Sequence, residues 1–302
     1  MEILRVESLL RRRMGMNLED PQRIHFHQLI LIAAGSTTHT VDFAPLSVVP
    51  GTLLITRAGQ VQAFGPERGI RGPLALFTPW FLEGRSLGTT GLAGASRLLL
   101  AAGPAVQLGY ASRARAIHAF DTLGLVASAP QSRFADEGVG AAFAMFVFEL
   151  AGLPEVLAAA AGSESEDELV ARFFRLLEER FSAGGNVDSF ARGLHVSIRT
   201  LDRRLLAARA VTARQAIRAR ILLEAKRMLT ARELPIKAVA DKLGFTEPQN
   251  FTRFFRTQAG VSPQAFRDGL VRPGNPPPPG KRERGRERRV RGGPARGTTA
   301  RP

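Results

Sequence analysis

The sequence predicts an α+β multidomain chain, with a small antiparallel β-barrel and flanking helices followed by an all-α domain. Short apolar segments separated by Gly and Pro turns run from residue 25 to residue 64, which is typical of antiparallel strands. Two similar helix-turn-helix patterns lie about fifty residues apart, between residues 187 and 268. These patterns place the β domain first and the helical domain second.

The net charge of +15 is concentrated in the second half of the chain. Residues 1–168 carry 13 basic and 16 acidic groups, residues 169–271 carry 19 and 9, and residues 272–302 carry 10 and 2. Because the excess of cations follows the helical domain and the tail, it predicts a polyanionic partner. There is no cysteine, no run of eighteen apolar residues and no signal-like N-terminus, so we expect a cytoplasmic protein without a membrane partner.

The β region begins with residues 25–32, which are rich in apolar side chains, and continues with a polar Gly-Ser-Thr turn at 35–38. Further strands are predicted at 39–43, 52–56 and 61–64. Their short length and regular turns favour a small antiparallel barrel or jelly roll.

After the β region the pattern becomes helical. Residues 114–125 have helix-compatible spacing, and residues 137–161 form a nearly apolar run that breaks at Pro154. Such a helix must be buried on most faces, and Glu149 and Pro154 leave too short a segment for a membrane span. The acidic, polar stretch 163–168 marks the domain boundary.

The first helix-turn-helix pattern covers residues 190–205, with Ser197 as the capping hydroxyl of its second helix. Apolar residues recur in that helix at a spacing that predicts a buried stripe of Ile198, Leu201 and Leu205. The side chains on the other side are those of Arg199, Asp202, Arg203 and Arg204.

The second pattern covers residues 239–256, with Thr246 as the capping hydroxyl and a buried stripe of phenylalanines. Its outward side chains are Gln249, Asn250, Arg253 and Arg256. Arg and Gln on a helix in the DNA major groove pair with guanine and adenine edges. One such face would often be merely solvated, but two on matched scaffolds favour DNA. Gln249 has an alternative role in a capping box with Thr246.

Residues 187–268 resemble the DNA-binding domain of the AraC/XylS family of bacterial transcription regulators. The resemblance is carried above all by Ile236-Lys237-Ala238-Val239-Ala240, Gly244-Phe245, Phe251-Thr252-Arg253-Phe254-Phe255-Arg256 and Gly260-Val261-Ser262-Pro263-Gln264-Ala265-Phe266-Arg267. Between the two patterns, Thr212 begins a helix similar to the linker helix of that family.

Carried over by position, the resemblance implies base-reading roles for Arg199, Asp202, Arg203, Gln249 and Arg253. Two positions of the first pattern depart from the family. His195 stands where a turn glycine is frequent, and Asp202 stands where Gln is commoner. An acidic side chain at that place could accept a hydrogen bond from cytosine N4.

Residues 20–85 are similar in their order of elements to the cupin-like sensor domain that many AraC-type regulators carry. This resemblance implies a small-molecule effector site, for which His25, His27, His39 and Gln62 are candidates. His25 and His27 alternate along a predicted strand, so both are expected on one face, either lining a ligand cavity or hydrogen-bonded within the sheet. Metal-dependent cupins complete such a pair with a Glu and a third His. Both are missing here, so we expect no metal, no cofactor and no enzymatic activity.

The predicted organisation is an N-terminal extension (1–19), a cupin-like sensor and dimerisation domain (20–162), a linker (163–168), a double helix-turn-helix domain (169–271) and a disordered basic tail (272–302). The resemblance implies that helices near residues 137–161 pair two subunits into a homodimer, with packing inside one subunit as the alternative.

The sequence therefore predicts a sequence-specific transcription regulator that binds double-stranded operator DNA. Activation through RNA polymerase is what the resemblance implies, with repression as the alternative. Two other functions stay open, a cupin-type metal enzyme with an appended DNA-binding module and a nonspecific nucleic-acid-binding protein that depends on its basic tail.

Overall fold

A computed structural model describes residues 1–12, 18–66, 68–79, 90–129, 135–164, 167–182 and 186–269. The prediction for the basic tail lies outside these residues. The strands are β1 (Glu2–Arg5), β2 (Gln22–Arg23), β3 (His27–Leu31), β4 (Ala34–Val41), β5 (Ala44–Val48), β6 (Thr52–Thr56), β7 (Val61–Phe64), β8 (Arg68–Arg71), β9 (Pro73–Phe77) and β10 (Ala105–Gln107). The helices are α1 (Val6–Arg12), α2 (Thr90–Ala101), α3 (Tyr110–Ala127), α4 (Ala135–Ala151), α5 (Pro154–Glu164), α6 (Glu168–Arg180), α7 (Val187–Gly193), α8 (Ile198–Arg209), α9 (Ala213–Ala231), α10 (Ile236–Lys242), α11 (Pro248–Ala259) and α12 (Pro263–Gly269).

The N-terminal domain contains two antiparallel sheets. One has the strand order β1-β9-β3-β6-β10, and the other has the order β2-β7-β4-β5 with β8 also paired to β4. Because none of the described pairings joins the ends of either sheet, the sheets do not close into the predicted barrel. The expected β-rich N-terminal domain and helical C-terminal domain are both present.

Alternation along the strands gives the first sheet two buried faces. On β3, Leu29 and Leu31 pack with helices α2 to α5 on one side. Ile30 belongs instead to the core between the two sheets, with Leu54 and Phe64. The first sheet is therefore a middle layer between the second sheet and the helices.

Two sequence predictions for this domain are wrong. The expected turn at 35–38 lies inside β4, where Gly35 has a φ of 80° next to a register shift, so the glycine forms a β-bulge instead of a turn. Residues at the start of the expected N-terminal extension belong to the fold. Strand β1 pairs with β9, and Val6 is fully buried in the inter-sheet core.

The predicted apolar run is divided between α4 and α5, as Pro154 implied. No single helix of the described ranges is long and apolar enough to cross a membrane. The α4–α5 pair, bent by 68°, passes that test by length and composition only. Phe143, Phe146 and Val147 of α4 are buried, whereas Met145 and Phe148 stay 63% and 43% exposed. The expectation that α4 is buried on most faces therefore holds for only part of its surface.

The C-terminal domain contains α6 to α12 and has two hydrophobic cores. The first joins α6, α7, α8 and the start of α9 around Phe173, Phe190 and Leu201. The second joins the end of α9 with α10 and α11 around Leu229, Phe251 and Phe255. The linker helix α9 thus contributes to both cores.

Candidate nucleic-acid interface

Two helix-turn-helix units have matching turns. We call α7–α8 (residues 187–209) the first unit and α10–α11 (residues 236–259) the second unit. In the first, the Val196 amide donates to the Ala191 carbonyl at 3.0 Å, and in the second the Phe245 amide donates to the Ala240 carbonyl at 3.1 Å. The repeat seen in the sequence is therefore a repeat of backbone geometry.

Each turn requires one residue in the left-handed region. Gly244 takes this conformation with a φ of 80°, and His195 takes it with a φ of 57°. A side chain with a Cβ is strained there, although His is among the residues that tolerate it better than most. The frequent glycine at the His195 position has this physical reason, and the first unit keeps the turn without it.

The two recognition helices begin differently. Ser197 caps α8 and accepts a hydrogen bond from the Thr200 amide at 3.1 Å, as predicted. The prediction that Thr246 caps α11 is wrong. Pro248 occupies the first turn and Glu247 is the N-cap residue, with no side-chain capping bond. The alternative capping box of Thr246 and Gln249 is therefore absent from α11.

The predicted DNA-facing side chains of both recognition helices are exposed, with one exception. Arg199 and Arg203 are exposed on α8, opposite the buried Leu201 and Leu205. On α11 the exposed set comprises Gln249, Asn250, Arg253 and Arg256, opposite the buried Phe251 and Phe255. A shallow surface depression of about 580 Å³ on α11 is lined by Pro248, Gln249, Thr252, Arg253, Arg256 and Thr257.

The exception is Asp202, which is half-buried and has a partner inside the protein. Its Oδ1 accepts a hydrogen bond from the Ala213 amide at 2.8 Å. Ala213 is the first residue of α9, so Asp202 satisfies one of the free amides at the start of the linker helix. Sequence reasoning missed this because the two residues belong to different helices.

Sequence reasoning also placed Ile198 in the buried stripe of α8, where the structure leaves it 41% exposed. It lies next to Arg199 at the start of the recognition helix. An apolar side chain at such a position is suited to contact a thymine methyl group.

The linker helix begins with a complete capping box. The Thr212 side chain accepts from the Gln215 amide, and the Gln215 side chain accepts from the Thr212 amide at 2.8 Å. Thr212 was predicted to start this helix. The reciprocal bonds fix the point where the chain leaves the first unit.

In the N-terminal domain, the structure separates the four candidate ligand residues. His39 and Gln62 lie on the second sheet and point between the sheets, where His39 stacks edge-on against Phe64 at 4.4 Å. His25 precedes β3, is exposed and lies 3.8 Å from Glu233 of the C-terminal domain. His27 packs against Phe77 at 5.4 Å. The prediction that His25 and His27 share a strand face is therefore wrong.

The space between the sheets holds further polar groups that sequence reasoning missed. The side-chain amide of Gln28 in the first sheet donates to Oε1 of the Gln62 side chain in the second sheet at 3.1 Å, and Gln28 pairs in register with Thr56. Within the described residues, the Thr56 hydroxyl and both ring nitrogens of His39 are buried and make no hydrogen bond of good geometry. One signal in the sequence could have indicated this. Side chains alternate between the two faces of a strand, so Gln28 lies on the same face of β3 as the apolar Ile30.

Burial lowers the pKa of His39 to about 4, and the nearby Gln62 side chain opposes this effect only in part. His39 is therefore neutral at pH 7, with one ring nitrogen able to donate and one able to accept. Among the described residues, no group of three His, Asp or Glu side chains is arranged to hold a metal ion.

Comparison with known proteins identifies the helical domain. Residues 190–269 match the family model described as "Helix-turn-helix domain". The chain is 30% identical over 93 residues to the HTH-type transcriptional activator RhaS of Escherichia coli O139:H28, and this match covers 31% of the chain and 34% of that relative. It thus spans about a third of the length of that curated protein. A second RhaS, from Pectobacterium carotovorum subsp. carotovorum, is 23% identical over 263 residues, covering 82% of this chain and 87% of the relative.

Two solved structures are similar at low identity. ToxT from Vibrio cholerae has a TM-score of 0.42 and 13% identity, with 89% of this chain and 97% of that chain covered. The AraC-like transcriptional activator CuxR has a TM-score of 0.30 and 16% identity, with 69% of each chain covered.

Proposed function

We propose that this chain, a transcription regulator with an AraC-type helix-turn-helix domain, recognises a specific operator through α8 and α11. The two helices would enter successive major-groove segments on one face of the DNA, about one helical turn or roughly 34 Å apart. The observation that carries the proposal is the pair of units with the same turn geometry, each with exposed polar side chains opposite its buried stripe.

Within this proposal, Arg199 and Arg203 of the first unit and Gln249 and Arg253 of the second read base edges. The remaining exposed groups, Asn250 and Arg256, and the helix N-termini hold phosphates. We assign Asp202 to the support of α9, because its carboxylate already accepts the Ala213 amide. Ile198 adds an apolar contact in the first segment.

The experiment that tests this function is selection of bound duplexes from a random DNA pool with the full chain. Two conserved blocks about ten base pairs apart are the expected result, since this is one turn of B-DNA. A single block would restrict reading to one unit. Enrichment of no sequence would support the nonspecific binder, whose affinity would depend on residues 272–302 and fall steeply with salt.

We infer that the regulator activates transcription by contacting RNA polymerase. Support comes from the family resemblance and from the relatives, which are named as transcriptional activators. Transcription in vitro from a promoter carrying the selected operator tests the sign of regulation. A rise in transcript on adding the protein is expected, and a fall would establish repression.

We also propose that a small polar effector binds between the two sheets of the N-terminal domain. Support comes from the buried His39 nitrogens and Thr56 hydroxyl, which make no hydrogen bond of good geometry with the described residues and lie beside the Gln28–Gln62 amide pair. A ligand with both donors and acceptors would complete these hydrogen bonds. In a thermal-shift screen of small polar metabolites, stabilisation should be lost in Thr56→Val, which keeps the side-chain shape. An unchanged shift would place the ligand elsewhere.

We propose a homodimer formed through α4 and α5, where Met145, Phe148 and Leu157 are 63%, 43% and 43% exposed. Sedimentation of the wild type should report two chains, and Phe148→Glu should report one. Leu125→Glu, at a side chain 74% exposed on α3, is the matched control. A dimer that persists in Phe148→Glu would move the interface away from this face.

A further inference from the structure

A two-residue turn of the N-terminal domain contacts the C-terminal domain. Asp42 and Phe43 join β4 to β5, where Val41 pairs with Ala44, and we call this pair the β4–β5 turn. Both residues have positive φ, 49° for Asp42 and 69° for Phe43. Tight hairpin turns of this shape favour Asn-Gly, and a bulky Phe is strained in it. Strained backbone of this kind persists where the surrounding contacts hold it.

Asp42 is held by the linker helix. Arg227 of α9 donates to its carboxylate through Nε at 2.8 Å and Nη2 at 2.6 Å, a two-pronged ion pair. The other donors come from the N-terminal domain itself, the Gln60 side chain at 2.7 Å and the Val61 amide at 3.1 Å. The Asp42 and Arg227 side chains are only 14% and 12% exposed, so water screens the pair weakly.

Phe43 continues the contact into the second unit. Its ring meets Phe266 of α12 edge-on at 5.7 Å, and Phe266 meets Phe255 of α11 at 5.5 Å. The Lys226 ammonium lies 5.5 Å from the Phe43 ring and 5.8 Å from the Phe266 ring. The turn thus reaches the buried side of the second recognition helix through one intervening side chain.

A second ion pair fastens the same part of α9. Arg23 of β2 donates to Glu224 Oε1 at 2.6 Å, and Glu224 is 5% exposed. The other Glu224 oxygen accepts from Arg220 and Arg227, each at 3.2 Å. Strands β2 and β4 both neighbour β7 in the second sheet, and the contacts from Arg23 of β2 and from Asp42 after β4 both reach residues 220–227.

We propose that the β4–β5 turn positions the second helix-turn-helix unit, with Asp42, Phe43 and Arg23 as positioning residues that set the operator spacing which α8 and α11 read together. The inference rests on the proposed function for its DNA readout. It also gives the inter-sheet groups a route to the DNA-binding domain. His39 of β4 precedes Asp42 in the turn by three residues, and Gln62 of β7 follows Gln60 by two residues.

The test uses the full chain and duplexes carrying the selected operator blocks, at the selected spacing and with one or two base pairs added. The ratio of affinities between the spacings measures how firmly the second unit is positioned. Asp42→Asn and Arg227→Gln should each lower this ratio about fivefold or more, the smallest coupling usual between linked sites. The double variant should lower it no further than Arg227→Gln alone, because both changes remove the same Asp42–Arg227 contact and only Arg227→Gln also removes the bond to Glu224.

Matched control variants distinguish lost positioning of the second unit from the mere removal of one charge. Asp121→Asn makes the same chemical change at an exposed site on α3, and Arg218→Gln makes it at an exposed site on α9. Both should keep the wild-type ratio. If Asp42→Asn weakened binding equally at every spacing, or kept the wild-type ratio, the proposal would be overturned.

A third variant controls for the alternative explanation that Asp42→Asn lowers the ratio by unfolding the N-terminal domain. Phe43→Gly removes the aromatic ring that packs against Phe266. It also relieves the strain of the positive φ at residue 43, so the turn itself should become more stable. It should lower the spacing ratio as Asp42→Asn does. An unchanged ratio in the folded Phe43→Gly protein would refute a role for the turn.

Hydrogen exchange distinguishes failure of this proposal from failure of the proposed function. In Phe43→Gly and Asp42→Asn the amides of residues 220–227 should exchange faster than in wild type, whether or not the protein selects an operator. Faster exchange without any selected DNA would retain the docking and reject sequence-specific binding. Unchanged exchange would reject the docking itself.

Discussion

The two helix-turn-helix units have the same turn and similar outward faces, yet they are supported in different ways. The first unit is fixed to the beginning of α9 by the Asp202–Ala213 hydrogen bond and shares a core with α6. The second is fixed to the end of α9 and shares a core with α12. Phe43 of the N-terminal domain packs against Phe266 of α12, which in turn packs against Phe255 of this unit. The comparison shows that the exposed polar face of the second helix is repeated in both units, while the contacts that support each unit from inside the protein are not.

The largest expected effect comes from truncating a buried side chain in one of the two hydrophobic cores of the C-terminal domain. Phe251→Ala should lower the free energy of unfolding of the second unit by about 3–5 kcal/mol, and Leu201→Ala that of the first by about 2–5 kcal/mol, because each removes a fully buried side chain. Hydrogen exchange should show lost protection in α10–α11 for the first variant and in α7–α8 for the second. Loss of protection in both units together would mean that the cores unfold as one.

The next effect concerns base reading by the equivalent arginines. Arg203→Ala and Arg253→Ala should each reduce discrimination between operator and random DNA by about 1–3 kcal/mol, the usual contribution of a bidentate base contact. Competition titrations measure this ratio. Arg218→Ala, an exposed control on α9, should weaken both DNAs alike. A normal ratio in Arg253→Ala would contradict the role given to α11.

A smaller effect should show whether Asp202 stabilises the start of α9 or recognises a DNA base. Asp202→Ala should lower the thermal stability of the first unit by about 1 kcal/mol, the usual contribution of a helix-capping bond. Asp202→Asn keeps the acceptor for the Ala213 amide, so stability and base preference should both stay near wild type. A changed base at one operator position in Asp202→Asn would make this residue a reader after all.

The smallest pair of effects lies in the two turns. His195→Gly should raise the stability of the first unit by about 1 kcal/mol, because glycine adopts the left-handed conformation without strain from a Cβ. Gly244→Ala should lower that of the second by a similar amount. Thermal unfolding of both variants measures the difference. Equal stability of His195→Gly and wild type would mean that contacts of the imidazole offset its backbone strain.

Features that depend on the local spacing of residues could be predicted from the sequence. The stripes of Leu201 and Leu205 and of Phe251 and Phe255 recur at helical spacing, and the structure buries all four. The helix break at Pro154 followed from the missing amide hydrogen of proline, and the capping role of Thr212 followed from its side-chain hydroxyl. The start of α11 was misplaced because the proline at 248 outweighed the hydroxyl at 246.

Features that depend on distant residues could not be predicted. The Asp42–Arg227 ion pair joins positions 185 residues apart, and no local pattern indicates such a pairing. The polar group between the sheets needed the register of β3 against β6 and the facing of the two sheets. Closure of a barrel likewise depends on which strand ends meet, and strand spacing alone does not decide this.

The single linker helix between the units has a consequence for the geometry of the operator. A helix of 19 residues is roughly 28 Å long and keeps its ends at a fixed twist as well as a fixed distance. One extra base pair between the two blocks turns the second block by about 35° around the DNA axis, because B-DNA makes a turn in 10–10.5 base pairs. Under the proposed readout by α8 and α11, the protein would measure rotational phase along the double helix, and a whole-turn insertion would fail for length where a single base pair would fail for angle.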